Sequence, residues 1–227
     1  MPPEVEMEKR IVARYVVDLV EGVELLGLGS GTTVAAFVEE LASSHLASGL
    51  KVIPSSSQIE KVAKENGLNV VDAEYGRPEL TIDGADEIDS QLNLLKGGGG
   101  ALVREKILAV NSDYYVIIAD HSKVVNLLCT RKPLPVEALP YGLSWTIDLL
   151  ESALNAKATL RRDNRKIFIS DNGNYIIDLK CSPLEDPEAV EKQLKLCPGV
   201  VDVGIFTDLA DEVYVAFGNE VKRFPRN

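Results

Sequence analysis

Five short runs in this 227-residue chain carry residue types able to bind anions, hold sugar hydroxyls or move protons. They are Gly29-Ser30-Gly31-Thr32-Thr33, Ser55-Ser56-Ser57, Asp83-Gly84-Ala85-Asp86-Glu87, Lys96-Gly97-Gly98-Gly99-Gly100 and Ala119-Asp120-His121-Ser122-Lys123. In the first, glycines let the backbone approach an anion, and Ser30, Thr32 and Thr33 offer hydroxyl donors. The helix that follows supplies its positive N-terminal end. Those are the parts of a phosphate cradle. A bare glycine turn with a threonine cap fits the run as well, and Gly27-Leu28-Gly29 half-matches a dinucleotide fingerprint. No Walker lysine follows, which argues against an NTPase.

The third run clusters carboxylates at a predicted strand end. Near a sugar they accept hydrogen bonds from hydroxyls, with Asp83 and Asp86 as the candidates. Glu87 and Asp89 read as ordinary surface charges. A solvated acidic turn is the bland alternative, and a magnesium site lacks an evident ligand cage. Four consecutive glycines lose much chain entropy on folding, so Gly97 to Gly100 imply a backbone that must fold closely around something, with Lys96 directly before it.

Glu105 follows on a predicted helix. At ~100° per residue it falls between Ala101 and Ala109, with Leu102 and Leu108 next outward, so a carboxylate shares an otherwise apolar stripe. An unperturbed glutamate, with a pKa of about 4.3, is a weak base for a carbon acid, and partial burial is expected to raise its basicity. The competing reading is a dipole partner near the helix N-terminus, or a pair with Arg104 or Lys106. Lys123, after a strand, reads in isolation as a solvated lysine.

The elements that must position these runs follow from periodicity. Residues 8–21 place Ile11, Tyr15, Leu19 and Val12, Val16, Val20 on helical spacing, stopped by Gly22. Strands are predicted at 23–28, 51–54, 68–71, 80–82 and 114–119, with helices from residue 34, at 58–66 and at 101–111. Strands alternating with helices imply a mostly parallel, Rossmann-like sheet, whose ligands bind in the loops after the strands.

Pro133, Pro135 and Pro140 mark a predicted domain crossing. Beyond it the spacing predicts strand 134–137, helix 144–154, strand 157–161, strands 167–170 and 175–179 around Asp171-Asn172-Gly173-Asn174, helix 187–196 and strand 200–205. That order suits a ferredoxin-like α+β unit. The expected division is therefore 1–129 with 206–227 as a Rossmann-like catalytic domain and 130–205 as the smaller domain, with strands at 212–217 and 221–224 returning to the first.

The charge of −11 opposes a phosphate backbone, and no basic stripe stands out, so nucleic acid is not expected as a partner. The apolar runs are too short for a membrane span and the charged start lacks a signal-peptide core, so a soluble cytoplasmic protein is expected. Cys129, Cys181 and Cys197 are odd in number and widely spaced, which fits packing residues in a reducing compartment. Neither His45 nor His121 stands in metal-ligand spacing with them, so no metal site is expected.

Together the runs resemble the ribose-5-phosphate isomerase A family, over nearly the whole chain. The likeness rests on the glycine-threonine loop, on Asp83-Gly84-Ala85-Asp86-Glu87, on Lys96 to Leu102 with Arg104-Glu105-Lys106, and on Pro133-Leu134-Pro135-Val136-Glu137. Asp171-Asn172-Gly173-Asn174 and Pro198-Gly199-Val200 support it. The resemblance implies interconversion of ribose 5-phosphate and ribulose 5-phosphate in the pentose phosphate pathway, without metal or cofactor, by a homodimer or homotetramer. It implies Glu105 as proton acceptor, with Ser30, Gly31, Thr32, Thr33, Asp83, Gly84, Ala85, Asp86, Lys96, Gly97, Gly98, Gly99 and Lys123 binding substrate. Ser30 and Thr32 stand where the family often has threonine and serine, which keeps the hydroxyls. Val103 replaces a frequent threonine, so any role of that hydroxyl is not carried over. Two rival readings are a CoA-transferase-like enzyme with a glutamate nucleophile and a non-catalytic sugar-phosphate sensor.

Overall fold

The computed structural model describes residues 3–226, which divide into two compact units. The first comprises the residues up to Ala85, Arg104–Lys123 and those from Leu209 onward; the second comprises Asp86–Val103 and Val124–Asp208.

The first unit is a seven-stranded sheet in the order Glu220–Pro225, Glu212–Phe217, Tyr114–Asp120, Leu80–Asp83, Leu25–Leu28, Lys51–Pro54, Asn69–Val70. Every neighbouring pair is parallel except the C-terminal hairpin, which is antiparallel. Leu25–Leu28 and Leu80–Asp83 are buried at every position, as strands covered on both faces must be. Helices Pro3–Tyr15 and Thr32–Ala42 contribute Val12, Ala13, Phe37 and Leu41 to the core. Full burial of a side chain such as Phe37 contributes about 1.5–3 kcal/mol. Strand order reverses beside Leu25–Leu28, and the crevice outside the carboxyl ends of strands at such a switch point is where doubly wound sheets bind ligands.

The opening helix lies earlier than 8–21. It begins at Pro3, with Glu4 and Glu6 in its first turn, and ends at Tyr15, after which the β-branched run continues as a 3₁₀ turn, Val17–Val20. The C-terminal strands return to the first sheet, as the sequence predicts.

The second unit holds a four-stranded antiparallel sheet, Val200–Val203, Leu134–Ala138, Tyr175–Lys180, Lys157–Leu160, with helices Leu143–Leu154 and Pro187–Lys195. In chain order its strands lie 4-1-3-2, the split arrangement of a ferredoxin-like unit. Leu134, Val136 and Ala138 join its apolar core, while Pro135 and Glu137 alternate to the opposite face.

Two local expectations are corrected. Residues 167–170 do not form a strand of this sheet; Lys166–Ile167 pairs with Arg162–Asp163 in a small hairpin. The strand expected over 200–205 breaks at Gly204, whose N–H donates to the Pro135 carbonyl and whose own carbonyl accepts from the Lys96 N–H. Beyond the break, Ile205–Phe206 pairs with Leu94–Leu95, which pairs with Glu87–Ile88. This pairing draws residues 86–103 into the second unit, which is therefore larger than the 130–205 expected. Its partners lie more than a hundred residues apart in the chain, outside the reach of local periodicity. Among the described residues no helix is long and apolar enough to cross a membrane.

Candidate active site

In the first unit, Asp83 ends the strand Leu80–Asp83 and is completely buried. Its Oδ1 accepts the N–H groups of Ser30 (3.2 Å) and Gly84 (2.7 Å), and its Oδ2 accepts the Tyr115 hydroxyl (2.8 Å). A buried carboxylate needs such donors, because desolvation without them costs several kcal/mol. A Cβ on Gly29 would lie 1.8 Å from Asp83 Oδ1, so only glycine lets the loop pass this close.

Tyr115 is fully buried, and burial, followed by the charges of Asp83 and Glu105, pushes its phenol well above the ordinary range. It therefore remains a donor to Asp83. The same electrostatic coupling places Glu105 in the neighbourhood of this pair. Glu105 sits in the first turn of helix Leu102–Asn111 and is 4% exposed; Ala101, Leu102, Leu108 and Ala109 are buried with it, as the apolar stripe requires.

Gly31, at φ 95°, begins helix Thr32–Ala42, which has no side-chain cap. Its first-turn N–H groups therefore lack a side-chain acceptor, and open N–H groups at a positive dipole end are the kind that attract anions. The Lys9 ammonium, 2% exposed, donates to Thr32 Oγ1 at 2.8 Å. The Ser30 hydroxyl bonds those of Ser55 and Ser56, both at 2.8 Å, and Ser56 caps the next helix through Ile59 N–H. The second hydroxyl run thus braces the first. Thr33 is buried. Lys123 ends the 3₁₀ turn His121–Lys123 and is half-buried; among the described residues no hydrogen bond or ion pair holds its ammonium. Before it, Asp120 is buried and accepts from the Ser122 N–H (3.0 Å) and hydroxyl.

In the second unit, Asp86 N–H donates to the Leu95 carbonyl (2.8 Å), and its Oδ2 accepts the Gly98 N–H (2.7 Å). A Cβ on Gly98 would meet that carboxylate at 2.5 Å. Lys96 is 2% exposed and lies over the Phe206 ring at 5.6 Å, with Gly97, Gly98 and Gly99 following it.

The candidates therefore fall into two groups. Ser30, Gly31, Thr32, Thr33, Asp83, Gly84, Ala85, Glu105 and Lys123 belong to the first unit, and Asp86, Lys96, Gly97, Gly98 and Gly99 to the second. Glu87 and Asp89, expected as surface charges, are buried and accept hydrogen bonds from loop backbone. Glu87 accepts the Arg131 and Lys132 N–H groups, and Asp89 accepts those of Gln91 and Asn93. Tyr115 and Lys9 were absent from the sequence-based candidates. Lys9 had a signal: with Glu8 it shares the face of Val5 and Val12, a charged pair on a buried stripe.

Comparison with known proteins follows the same lines. The profile of the family described as Ribose 5-phosphate isomerase A (phosphoriboisomerase A) matches residues 51–220. A relative from Korarchaeum cryptofilum, named Ribose-5-phosphate isomerase A, is 60% identical over 218 residues, covering 96% of this chain and 97% of its own. The solved structure of a D-ribose-5-phosphate isomerase in complex with phospho-erythronic acid superposes with TM-score 0.93 at 36% identity, covering 98% of this chain and 99% of that one. That of ribose 5-phosphate isomerase A from Methanocaldococcus jannaschii superposes with TM-score 0.90 at 36% identity, covering 97% and 99%.

Proposed function

Because this chain belongs to the ribose 5-phosphate isomerase A family and is an isomerase of ribose 5-phosphate, we propose that Glu105 carries the proton between C2 and C1 of the open-chain sugar. The carboxylate takes the C2 proton of the aldose, an enediolate forms, and the same carboxylate returns the proton to C1 to give ribulose 5-phosphate. The observation that carries the assignment is a nearly buried glutamate, electrostatically coupled to the Tyr115–Asp83 pair, on the helix that follows the Lys96–glycine run.

Supporting roles follow from chemistry. The open N-terminus of helix Thr32–Ala42, with Ser30, Gly31, Thr32, Thr33 and the Lys9 ammonium, suits a phosphate dianion. Asp83 and Asp86 accept sugar hydroxyls, and Lys96 with the N–H groups of the glycine run meets negative charge on the carbonyl oxygen. Gly84 and Ala85 shape the loop between the two aspartates, and Lys123 adds positive charge for the phosphate. The protein is proposed to act in the cytoplasm as a homodimer or homotetramer, and its three free thiols suit a reducing compartment.

A coupled assay following ribose 5-phosphate to ribulose 5-phosphate, run in EDTA, tests the reading. Steady turnover is expected. No conversion by folded protein would overturn the assignment, and conversion lost only in EDTA would show that a cation takes part.

A further inference from the structure

Arg161 lies outside every motif singled out in the sequence, yet its side chain donates two hydrogen bonds to the glycine run. It follows the strand Lys157–Leu160, and its backbone is locked on both sides: its N–H donates to the Ile176 carbonyl (2.8 Å) and its carbonyl accepts the Phe168 N–H (3.0 Å). Its Nη1 donates to the carbonyls of Gly97 (2.8 Å) and Gly98 (3.0 Å). Nε donates to Asp178 Oδ2 at 2.9 Å and Nη2 to Asp178 Oδ1, so the guanidinium is gripped in a two-pronged fork. The guanidinium also lies over the Phe168 ring at 5.8 Å, the ring against which a Cβ on Gly100 would collide. Side-chain exposure is 15% for Arg161 and 20% for Asp178, so the pair is largely shielded from water.

Peptide planarity turns this clamp into a statement about donors. The N–H of a trans peptide points opposite to its carbonyl. Holding the Gly97 carbonyl therefore turns the Gly98 N–H to the far side, where it meets Asp86 Oδ2 at 2.7 Å. Holding the Gly98 carbonyl likewise turns the Gly99 N–H away from Arg161. A Cβ on Gly99 meets nothing within 4 Å, so the run is open around that residue's α-carbon.

We propose that Arg161, gripped by Asp178, is a positioning residue for the isomerisation: it sets the two peptide planes that present the Gly98 and Gly99 N–H groups, to Asp86 and to the charge developing on substrate oxygen. It touches no reacting atom in this scheme. The inference rests on the proposed isomerase reading. Without the clamp the Gly98 carbonyl loses its Arg161 donor and the Gly97 carbonyl keeps the Gly100 N–H (2.9 Å), so donors that must be preorganised to stabilise developing charge are held less firmly.

The test uses Arg161→Ala, Arg161→Lys and Asp178→Asn in the full chain. The readouts are kcat, KM and the inhibition constant of phospho-erythronic acid, whose carboxylate mimics charge on the enediolate oxygens. For Arg161→Ala we expect kcat to fall about 10- to 100-fold with KM within about threefold, and the inhibition constant to rise by a similar factor. Arg161→Lys keeps the charge but loses the fork, and is expected to lie between Arg161→Ala and the unaltered protein, as is Asp178→Asn. Millimolar guanidinium should partly restore Arg161→Ala.

An inhibition constant unchanged in folded Arg161→Lys and Asp178→Asn, whatever the loss in rate, overturns the proposal, because a merely structural role lowers the active fraction and leaves ligand affinity alone. That readout stands even where Arg161→Ala fails to fold. Failure of the isomerase reading is separable, since it shows as absence of turnover in the unaltered protein.

Discussion

The two units secure their functional groups by different means. In the first, the donors on Asp83 come from the strand-end loops and strands beside it: Ser30 N–H, Gly84 N–H and the Tyr115 hydroxyl, the last buried in the adjacent strand. In the second, the glycine run closes one turn of its own, Gly100 N–H to the Gly97 carbonyl at 2.9 Å, and otherwise relies on side chains from outside the run. It is oriented by Arg161, 64 positions later in the chain than Gly97, itself held by Asp178. A doubly wound sheet delivers several strand ends to one edge, so rigid neighbours come with the fold. A run of glycines carries no side chains, so its stiffness must be imported.

The sharpest break of that comparison lies in the first unit. Glu105→Gln keeps size and hydrogen bonding but cannot take a proton, and it is expected to lower kcat by ~10²–10⁴ while KM changes little. Steady-state assay of the purified variant checks this, and near-normal turnover sinks the assignment.

Next in size is a matched pair of added methyl groups. In Gly29→Ala the new Cβ would stand 1.8 Å from an Asp83 carboxylate pinned by its donors, so something rigid must shift. We expect about a 10²-fold loss in kcat/KM and roughly 1–3 kcal/mol of stability. In Gly98→Ala the clash is with the end of the Asp86 side chain, at 2.5 Å, and Asp86 is half-buried and able to turn. About a tenfold loss, with little change in Tm, is expected there. Equal effects in kinetics and thermal melts would erase the distinction between a rigid and a yielding half.

A smaller effect is expected for Tyr115→Phe, which strips one donor from buried Asp83. Leaving that acceptor short should reduce unfolding free energy by about 1–3 kcal/mol, measured by urea denaturation. No loss would mean that Asp83 does not need the Tyr115 hydroxyl.

The smallest lies at the edge of the first unit, where His121 Nδ1 stands 2.5 Å from buried Glu8 Oε2. The hydrogen bond to Glu8 raises the His121 pKa above its ordinary 6.5. Burial of Glu8 favours its neutral acid, but the Gly218 N–H and then His121 outweigh this and hold its carboxyl below the ordinary 4.5. The stabilisation from His121 is complete below pH 6.5 and fades as pH rises through its raised value. That from Glu8 is complete above pH 4.5 and fades as pH falls through its lowered value. Both are present between those limits. With the His121 side chain 41% exposed, solvent screening keeps the contribution below about 1 kcal/mol. The Tm deficit of His121→Asn should be larger at pH 5.5 than at pH 9, and a deficit independent of pH would remove the pair from the account.

The chemistry-bearing loops, the alternation of strands and helices, and the apolar stripe around Glu105 could all be read from the sequence. Each depends on residues within a turn or two of one another, where backbone propensity and periodicity act. Legible too was most of the order of elements in the ferredoxin-like unit. The tertiary structure alone decided that Leu94–Leu95 pairs with Ile205–Phe206, which brings residues 86–103 into the second unit. It alone buried Glu87 and Asp89, aimed Tyr115 at Asp83, placed Lys9 on Thr32, and brought Arg161 to the glycine carbonyls. Except at Asp89, whose partners Gln91 and Asn93 are local, each polar or charged group here leaves water because a segment distant in the chain meets its hydrogen bonds, and no local pattern records which segment that is.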